Sequence, residues 1–520
     1  MKSNYNDHWS RRRFLETSAA GIGLVMAPVF LEGCSGAIAP SHMAATGEVS
    51  GGALYFAQFG IDEKLIGDVL STAMSKGGEF ADLYFQHKIT NYLGLEDGEV
   101  NRAFSNIKIG CGVRVLKGDQ TGFAFTEDLS KKALLSAAQT AAVVADGTPS
   151  TSMPRIRQIS APNYYVIKTP WTDVGIEQKI PLLEAANKQT MAFDSRIIKV
   201  RVYVGDSMSN ILLASSDGRI VQDVQPMTTA YLSCVAQDGA RREDNYYSLG
   251  ARRGFEFYTD EKIRELANTA AKRTITLFDA EPPPAGEYPV VLAPGLSGIL
   301  LHEAIGHGME ADFNRKGISV YANKMGQKVA PEFVTIVDDG TNPNERGTIN
   351  IDDEGLASKK TVLVENGILR SYMHDRISAK HYKVEPTSNG RRDCYKYPPV
   401  PRMRNTYMLN GPHNPEEIIK SVKKGIYAES FTNGQVQIGS GDFSFYLKNG
   451  YIIEDGKLTR PVKDANLIGF GPKVLEQVKM VGNDLALNTG AGMCGKDGQR
   501  VPVGMGLPTV KCGGISVGGA

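Results

Sequence analysis

"FADLYFQHKI" (Phe80–Ile89), "YLGLEDGEVNRAF" (Tyr92–Phe104) and "CGVRVLKGDQTGFAF" (Cys111–Phe125) succeed one another along the chain and read as strands. Each is rich in the aromatic and β-branched residues that suit a pleated surface. Asp97-Gly98 is a hairpin signal and Gly118-Asp119 a turn signal, so the strands reverse direction at both points. A second strand series runs from about Ile197 to Phe257, punctuated by Asp217-Gly218 and Asp238-Gly239.

Helical periodicity appears around these runs. From Ile61, "IDEKLIGDVLSTAMSKGG" places Leu65, Ile66, Val69, Leu70, Ala73 and Met74 on one face, and Gly77-Gly78 end the pattern. Further helices are predicted over Leu129–Ala145, Ile176–Phe193 and near Asp260–Leu277. "AEPPPAGEYP" then has the prolines and glycine of a linker, and a Gly-rich β-like region continues to the C-terminus. Strand runs interrupted by helices, without steady βαβ alternation, predict an α+β class with mostly antiparallel sheets and flanking helices. The expected segments are a leader at 1–39, an N-terminal α+β domain at 60–150, a central α+β domain at 151–281 and a β-rich C-terminal domain at 285–520.

At 520 residues, 42% hydrophobic and 22% charged, the chain is long enough for a large buried core and two or three domains. Lys+Arg 58 against Asp+Glu 57 leaves a net charge of +1, with no basic block, which sets nucleic acid aside as a partner.

The N-terminus reads as a targeting segment. Ser10-Arg11-Arg12-Arg13-Phe14-Leu15-Glu16 forms a twin-arginine pattern ahead of a mildly apolar stretch, Thr17–Leu31, too short to span comfortably a membrane needing ~20 apolar residues. Export to the periplasm or envelope is expected. Two readings of the processing site stand side by side: "LEGC" resembles a lipobox with Cys34 as the lipid anchor, and "AIA" offers cleavage after Ala39. Without Cys34, five cysteines remain, and an odd count argues against a complete disulfide framework. A metal-held cysteine is one physical reason to keep a thiol in an exported protein.

"LHEAIGHGMEADFNRKG" (Leu301–Gly317) carries HExxxH, one residue longer than the familiar zinc-peptidase HExxH. In a regular α-helix positions i and i+5 lie ~140° apart, so His302 and His307 would face different sides. A π turn brings them back to one face, and Gly306, lacking a Cβ, eases the distortion. The alternative is a helix that stops before His307, turned back by Gly306 and Gly308. A catalytic zinc takes three protein ligands. Candidates for the third are Glu310, Asp312, His374, His381 and Cys494.

"HEAIGHGMEADFNRKG", "VTIVDDGTNPNERGTINIDDEG", "NGRRDCYKYPPVPRMRNTYMLNG" and "GMCGKDGQRVPVGMGLPTVK" together resemble the TldD-type subunit of the TldD/PmbA metallopeptidase family. The likeness runs from roughly residue 60 to 519 in the same motif order. It implies a zinc-dependent peptidase, with the metal held by His302, His307 and Cys494 in the 285–520 domain. Zinc-peptidase logic then gives Glu303 the proton of an activated water, to be passed to the leaving amine. The substrates implied are peptides or unfolded polypeptides, added as a strand to a sheet edge. The resemblance also implies a dimer, either two copies or one with a PmbA-type partner; the homodimer needs no companion.

Other features are read as lesser. Gly490, Gly492 and Gly495 have GxGxxG spacing, but no helix can open through "GKDGQRVPVG", so a dinucleotide site is rejected. A Cys494–Cys512 disulfide would abolish the metal site. "DDEG" (Asp352–Gly355) reads as a solvated turn rather than a cation site. Arg391 and Arg392 are candidates to hold a carboxylate or oxyanion, or to form ion pairs. His374 and His381 read as structural. Two other functions compete: a non-enzymatic assembly or binding subunit, and a metal-dependent amidase on a non-peptide bond.

Overall fold

The computed structural model describes residues 54–145, 147, 154–488 and 490–519. The twin-arginine pattern, Cys34 and Ala39 lie outside the described residues.

Helix α1 (Glu63–Ala73) begins where the Asp62 carboxylate accepts the Leu65 N–H, and it buries Ile66, Val69, Leu70 and Ala73. Strands β1 (Phe80–Glu96), β2 (Glu99–Lys117) and β3 (Gln120–Thr126) form an antiparallel meander. Its turns fall at Asp97-Gly98, both with positive φ, and at Gly118-Asp119. Helices α2 (Lys131–Ala142), α3 (Ile176–Phe193) and α4 (Asp260–Thr276) lie where the apolar periodicity puts them. A short strand β4 (Arg157–Ile159) and the long strands β5 (Ile197–Ser215), β6 (Arg219–Asp238) and β7 (Arg241–Ala251) complete the first half.

These seven strands make one sheet, ordered β3-β2-β1-β5-β6-β4 with β7 also on β6. The regions 60–150 and 151–281 therefore share a sheet, joined by fifteen residue pairs between β1 and β5, from Asp82↔Ser215 to Glu96↔Arg201. The length of the central strands explains how. At 17 to 20 residues, β1, β5 and β6 each serve two helix pairs along one face, while β2 packs only its C-terminal half, against α1 and α2. Leu83, Phe85, Val113 and Val115 pack with α1 and α2, whereas Leu93, Val202, Leu232 and Ala236 pack with α3 and α4. On the other face, Tyr84, Ile211, Leu213 and Val221 meet Ile351, Cys394 and Tyr395 of the C-terminal region.

That region contains two larger sheets. In one, the strands 424–436, 286–292, 510–519, 465–470 and 442–454 pair in succession, and the last pairs again with the first, closing a five-strand ring. The other is six-stranded and includes 336–339, 405–408 and 504–507. The sequence 299–309 leaves the ring and packs Leu300, Leu301, Ala304, Ile305 and Met309 into the largest core of the described residues. No described helix is long and apolar enough to cross a membrane.

The "DDEG" expectation fails for a physical reason. Asp352 and Glu354 are buried, not solvated, because Glu354 Oε1 accepts from Arg114 Nη1 of β2 at 2.8 Å across the sheet face. Arg114 also pairs with Asp82 of β1. Asp352 accepts the N–H groups of Glu354 and Leu356 at 3.1 and 2.9 Å. Arg114, Asp82 and Glu354 form a docking joint between the two halves, and Asp352 orders the loop that presents Glu354.

Candidate metal centre

The chain enters the site through a sharp reversal at Gly295, φ +82. Gly298 then presses against the 504–507 strand, where a Cβ would stand 2.7 Å from the Gly506 nitrogen. One α turn, Ile299–Leu301, follows, and residues His302–Gly306 are a π turn in which the His307 N–H donates to the His302 carbonyl five residues back. The predicted distortion is present, and the helix does not stop before His307: a 3-10 turn carries it on to Met309. Gly306 serves differently from expectation. Its φ and ψ, −58° and −52°, are open to any L-residue, but a Cβ there would overlap Met403 Sδ. Glycine is required for packing, not for backbone freedom.

Cys494 comes from a hairpin, not from a glycine turn. Strands Met493–Lys496 and Gln499–Pro502 pair with Cys494 opposite Val501, around Asp497-Gly498, both at positive φ. The stretch carries strands rather than a helix.

His302, His307 and Cys494 each offer a ligand atom, and the three atoms lie within 4.8 Å of one another. Cys494 Sγ is 3.3 Å from His307 Nε2. Exposure is 2%, 6% and 2%, so the cluster is closed to bulk water. Burial alone would raise the Cys494 thiol, but the neighbouring imidazoles of His302 and His307 outweigh it and hold the thiol well below its ordinary value. Cys512 takes no part: it is a free thiol on the 510–519 strand, opposite Val290, and burial pushes it up to about 12.

The second nitrogen of His307 identifies what Glu310 does. His307 Nδ1 lies 3.0 Å from Glu310 Oε2, which orients the ring and leaves Nε2 toward Cys494. Burial would raise Glu310, but Lys496 and His307 outweigh it and hold it at about 2. For His307, burial pulls downward, and Glu310 and Cys494 more than reverse it. Among the described residues, His302 Nδ1 is buried without a hydrogen-bond partner, as suits a nitrogen kept for another ligand. The set of two imidazoles and one thiolate is a fitting donor set for zinc.

Lys496 lies two residues beyond Cys494 on the same face of its strand. Its Nζ donates to Asp312 Oδ1 at 2.7 Å, Pro401 O at 3.0 Å and Glu310 Oε2 at 3.2 Å. Arg402, fully buried, donates from Nη2 to the Cys494 carbonyl at 2.5 Å, with Nε 3.9 Å from Glu310 Oε1. The hairpin and the helix are thus fastened by two cations that converge on Glu310. Neither cation stood out in the sequence. The i+3 spacing of Glu310 from His307 was the available signal for the carboxylate.

Glu303 stands at the rim. Its Oε2 is 3.8 Å from His307 Nε2, and its side chain keeps 21% exposure, against 7% for His307. Of the other candidates, Asp312 is engaged by Lys496. His374 packs beside Tyr372 and Tyr382, with burial pulling it down to about 4, and His381 is exposed on the 376–382 helix.

Comparison with known proteins bears on this geometry. Three successive family models match: PmbA/TldA metallopeptidase domain 1 at 81–145, the central domain at 169–278 and the C-terminal domain at 285–519. A metalloprotease TldD homolog of Buchnera aphidicola (subsp. Acyrthosiphon pisum) is 39% identical over 448 residues, covering 85% of this chain and 93% of the relative. A zinc metalloprotease TldD homolog of Saccharolobus solfataricus is 27% identical over 454 residues, covering 86% and 99%. The crystal structure of TldE from Thermococcus kodakarensis shares the fold, with a TM-score of 0.69 at 20% identity over 88% of this chain and all of that one. The buried His-His-Cys cluster sits inside a match that runs the length of the described fold, and the protein belongs to the TldD/PmbA metallopeptidase family as a TldD-type metalloprotease.

Proposed function

We propose that this metallopeptidase is a zinc enzyme: His302, His307 and Cys494 hold the ion, and Glu303 is the general base for hydrolysis of peptides or unfolded polypeptides. The observation that carries the reading is the convergence of three buried donors within 4.8 Å, with a partly exposed carboxylate beside them. When bound, zinc supplies a Lewis acid that acidifies water and polarises a carbonyl. Glu310 holds His307 through Nδ1, so Nε2 is free for the metal. Glu303 takes the proton of the attacking water at its carboxylate and delivers it to the leaving amine.

The test pairs metal analysis with a peptide digest. Glu303→Gln should keep about one zinc per chain and lose turnover by at least ~100-fold. Full activity in that variant, or cleavage that persists in chelator with no metal bound, would sink the assignment. For assembly we propose a homodimer; the fold shared with TldE makes pairing with a PmbA-type subunit the competing arrangement. Export by the twin-arginine route, with or without lipidation of Cys34, is proposed on the leader's residues alone. Cell fractionation decides export, where protein confined to the cytoplasm would refute the route, and native mass measurement on the purified chain decides assembly, where a stable, active monomer would refute the dimer.

A further inference from the structure

Arg391 and Arg392 are neighbours in sequence with opposite fates. Arg392 is neutralised: its Nη2 is 3.5 Å from Asp82 Oδ1, and its backbone N–H donates to Asp353 Oδ2 at 2.8 Å. Arg391, 3% exposed, makes no ion pair among the described residues, and its Nη1 donates to the Met403 carbonyl at 2.6 Å. Two more buried arginines share that condition. Arg346, 5% exposed, spends Nε on the Gly492 carbonyl at 2.9 Å, Nη1 on Thr229 Oγ1 at 2.9 Å and Nη2 on Met493 Sδ at 3.3 Å. Arg252, 3% exposed, donates to Gln225 Oε1 at 3.4 Å, and its Nε has no partner among the described residues.

The three gather at the metal centre: Arg252 and Arg346 lie at the end of one strand, and Arg346 and Arg391 each grip one arm of the centre. A Cβ on Gly250, two residues before Arg252, would stand 2.9 Å from Arg346 Nη1. Burial, and then the charge of Arg252, pulls Arg346 down to about 10 and Arg391 to about 9. The nearby carboxylates are committed elsewhere. Asp353 and Asp338 act on Arg391 but are bonded to Arg392 and Arg404, and Asp223 receives Tyr165, Asn350 and Gln225.

The cluster touches both arms of the metal centre. Arg346 holds the carbonyl two residues before Cys494, and Arg391 holds the residue whose sulfur packs on Gly306. It also reaches the surface. Half-buried Lys88 of β1 shares a cross-strand row with Ser209 and Gln225, the residue that accepts from Arg252; Asp393, which accepts the Arg500 N–H, also acts on Lys88, and directly across from Lys88 in register is exposed Lys108. Like charges facing each other in a sheet repel, as do buried guanidiniums that cannot shed their protons. A planar anion relieves both, and a carboxylate matches the guanidinium fork.

We infer that Arg252, Arg346 and Arg391 form a carboxylate-binding subsite beside the metal centre, approached past Lys88, which selects peptides carrying a carboxylate near the scissile bond. The inference rests on the peptidase reading above. The carboxylate can be a peptide's C-terminus or an acidic side chain, and the substrate set separates them.

The experiment uses the zinc-loaded full chain and N-acetyl peptides that differ only in a free-acid or amide C-terminus, and in Glu or Gln at one internal position. The expected result is a KM about tenfold lower for the carboxylate-bearing member. Discrimination at the terminus assigns the terminal carboxylate; discrimination at Glu assigns the side chain. In Arg391→Met and in Lys88→Gln the ratio should collapse toward one, and Arg391→Lys should keep part of it. Zinc content and thermal unfolding report whether each variant folds, and Lys88→Gln, on the half-buried rim, decides if Arg391→Met does not. Equal KM values in the wild type, or ratios unchanged in the folded variants, overturn the subsite. If no peptide is cleaved, the peptidase reading fails instead, and calorimetry on Glu303→Gln decides the subsite: tighter binding of carboxylate peptides supports it, and equal binding overturns it.

Discussion

Lys496→Met removes a charge while keeping the length of the side chain, and it asks whether the metal site is assembled by its surroundings or only surrounded. Lys496 Nζ bridges Glu310 and Asp312 of the His307 segment from the strand that carries Cys494, at 3.2 and 2.7 Å, with the side chain 3% exposed. Removing one partner of a buried ion pair costs about 3–5 kcal/mol, because the other charge stays buried. Two features reduce that here. Glu310 keeps His307 and a distant Arg402, and Asp312, already raised by burial, can take up a proton. We therefore expect about 3 kcal/mol, the lower end of that range.

The effect on metal binding is separable from the effect on stability. Loss of an outer partner of a metal-ligating histidine lowers affinity about 10–100-fold. Urea unfolding of the metal-free protein measures the first, and chelator competition for zinc measures the second. A fall in stability with unchanged zinc affinity would show that Lys496 staples the fold without positioning ligands. Unchanged stability would refute the claim that the cation cluster holds hairpin to helix.

Gly306→Ala should cost about 1–3 kcal/mol by overpacking against Met403 Sδ, and most of that extra cost should vanish when it is made in a Met403→Ala background, each measured by denaturation. Cys494→Ser should lower zinc stoichiometry well below one per chain, whereas Cys512→Ser, whose sulfur lies in an apolar strand, should leave it unchanged by elemental analysis. Acid should act through Glu310, whose folded value of about 2 lies below its ordinary 4.5. A depressed carboxylate contributes its stability above pH 4.5 and loses it as pH falls toward 2, about 3 kcal/mol in all. Urea midpoints of metal-free protein across that window should fall steeply, and Glu310→Gln should flatten the slope.

Most of the architecture was legible because it is local. Alternating strands, turns with residues that tolerate positive φ, and helices with an apolar face are patterns within twenty residues, and α1 to α4, β1 to β3 and β5 to β7 follow them, whereas the short exposed β4 does not. What stayed hidden was long-range. The sharing of one sheet by 60–150 and 151–281 depends on β1 pairing with β5, more than a hundred residues away. The burial of Glu354 depends on Arg114, which lies 240 residues away. An acidic, glycine-ended stretch read alone resembles a wet turn, and only the facing arginine turns it into a joint.

The metal centre shows the same division within a few ångströms. HExxxH carries its own geometric demand, because two histidines five positions apart share a face only if the helix widens, and the His307-to-His302 hydrogen bond is that widening. No comparable demand points to Cys494: its 187-residue separation from His307 is closed by the ring and the hairpin, not by any period in the sequence. Lys496 and Arg402 are less legible still, since an isolated lysine or arginine ordinarily reads as surface. Their burial makes sense only after the hairpin and helix are placed together, when Glu310 would otherwise be a carboxylate without a cation in a dry core. Such groups are mutually conditional. The hairpin must bring Lys496 for Glu310 to remain ionised, and Glu310 must remain ionised to hold His307 for the metal.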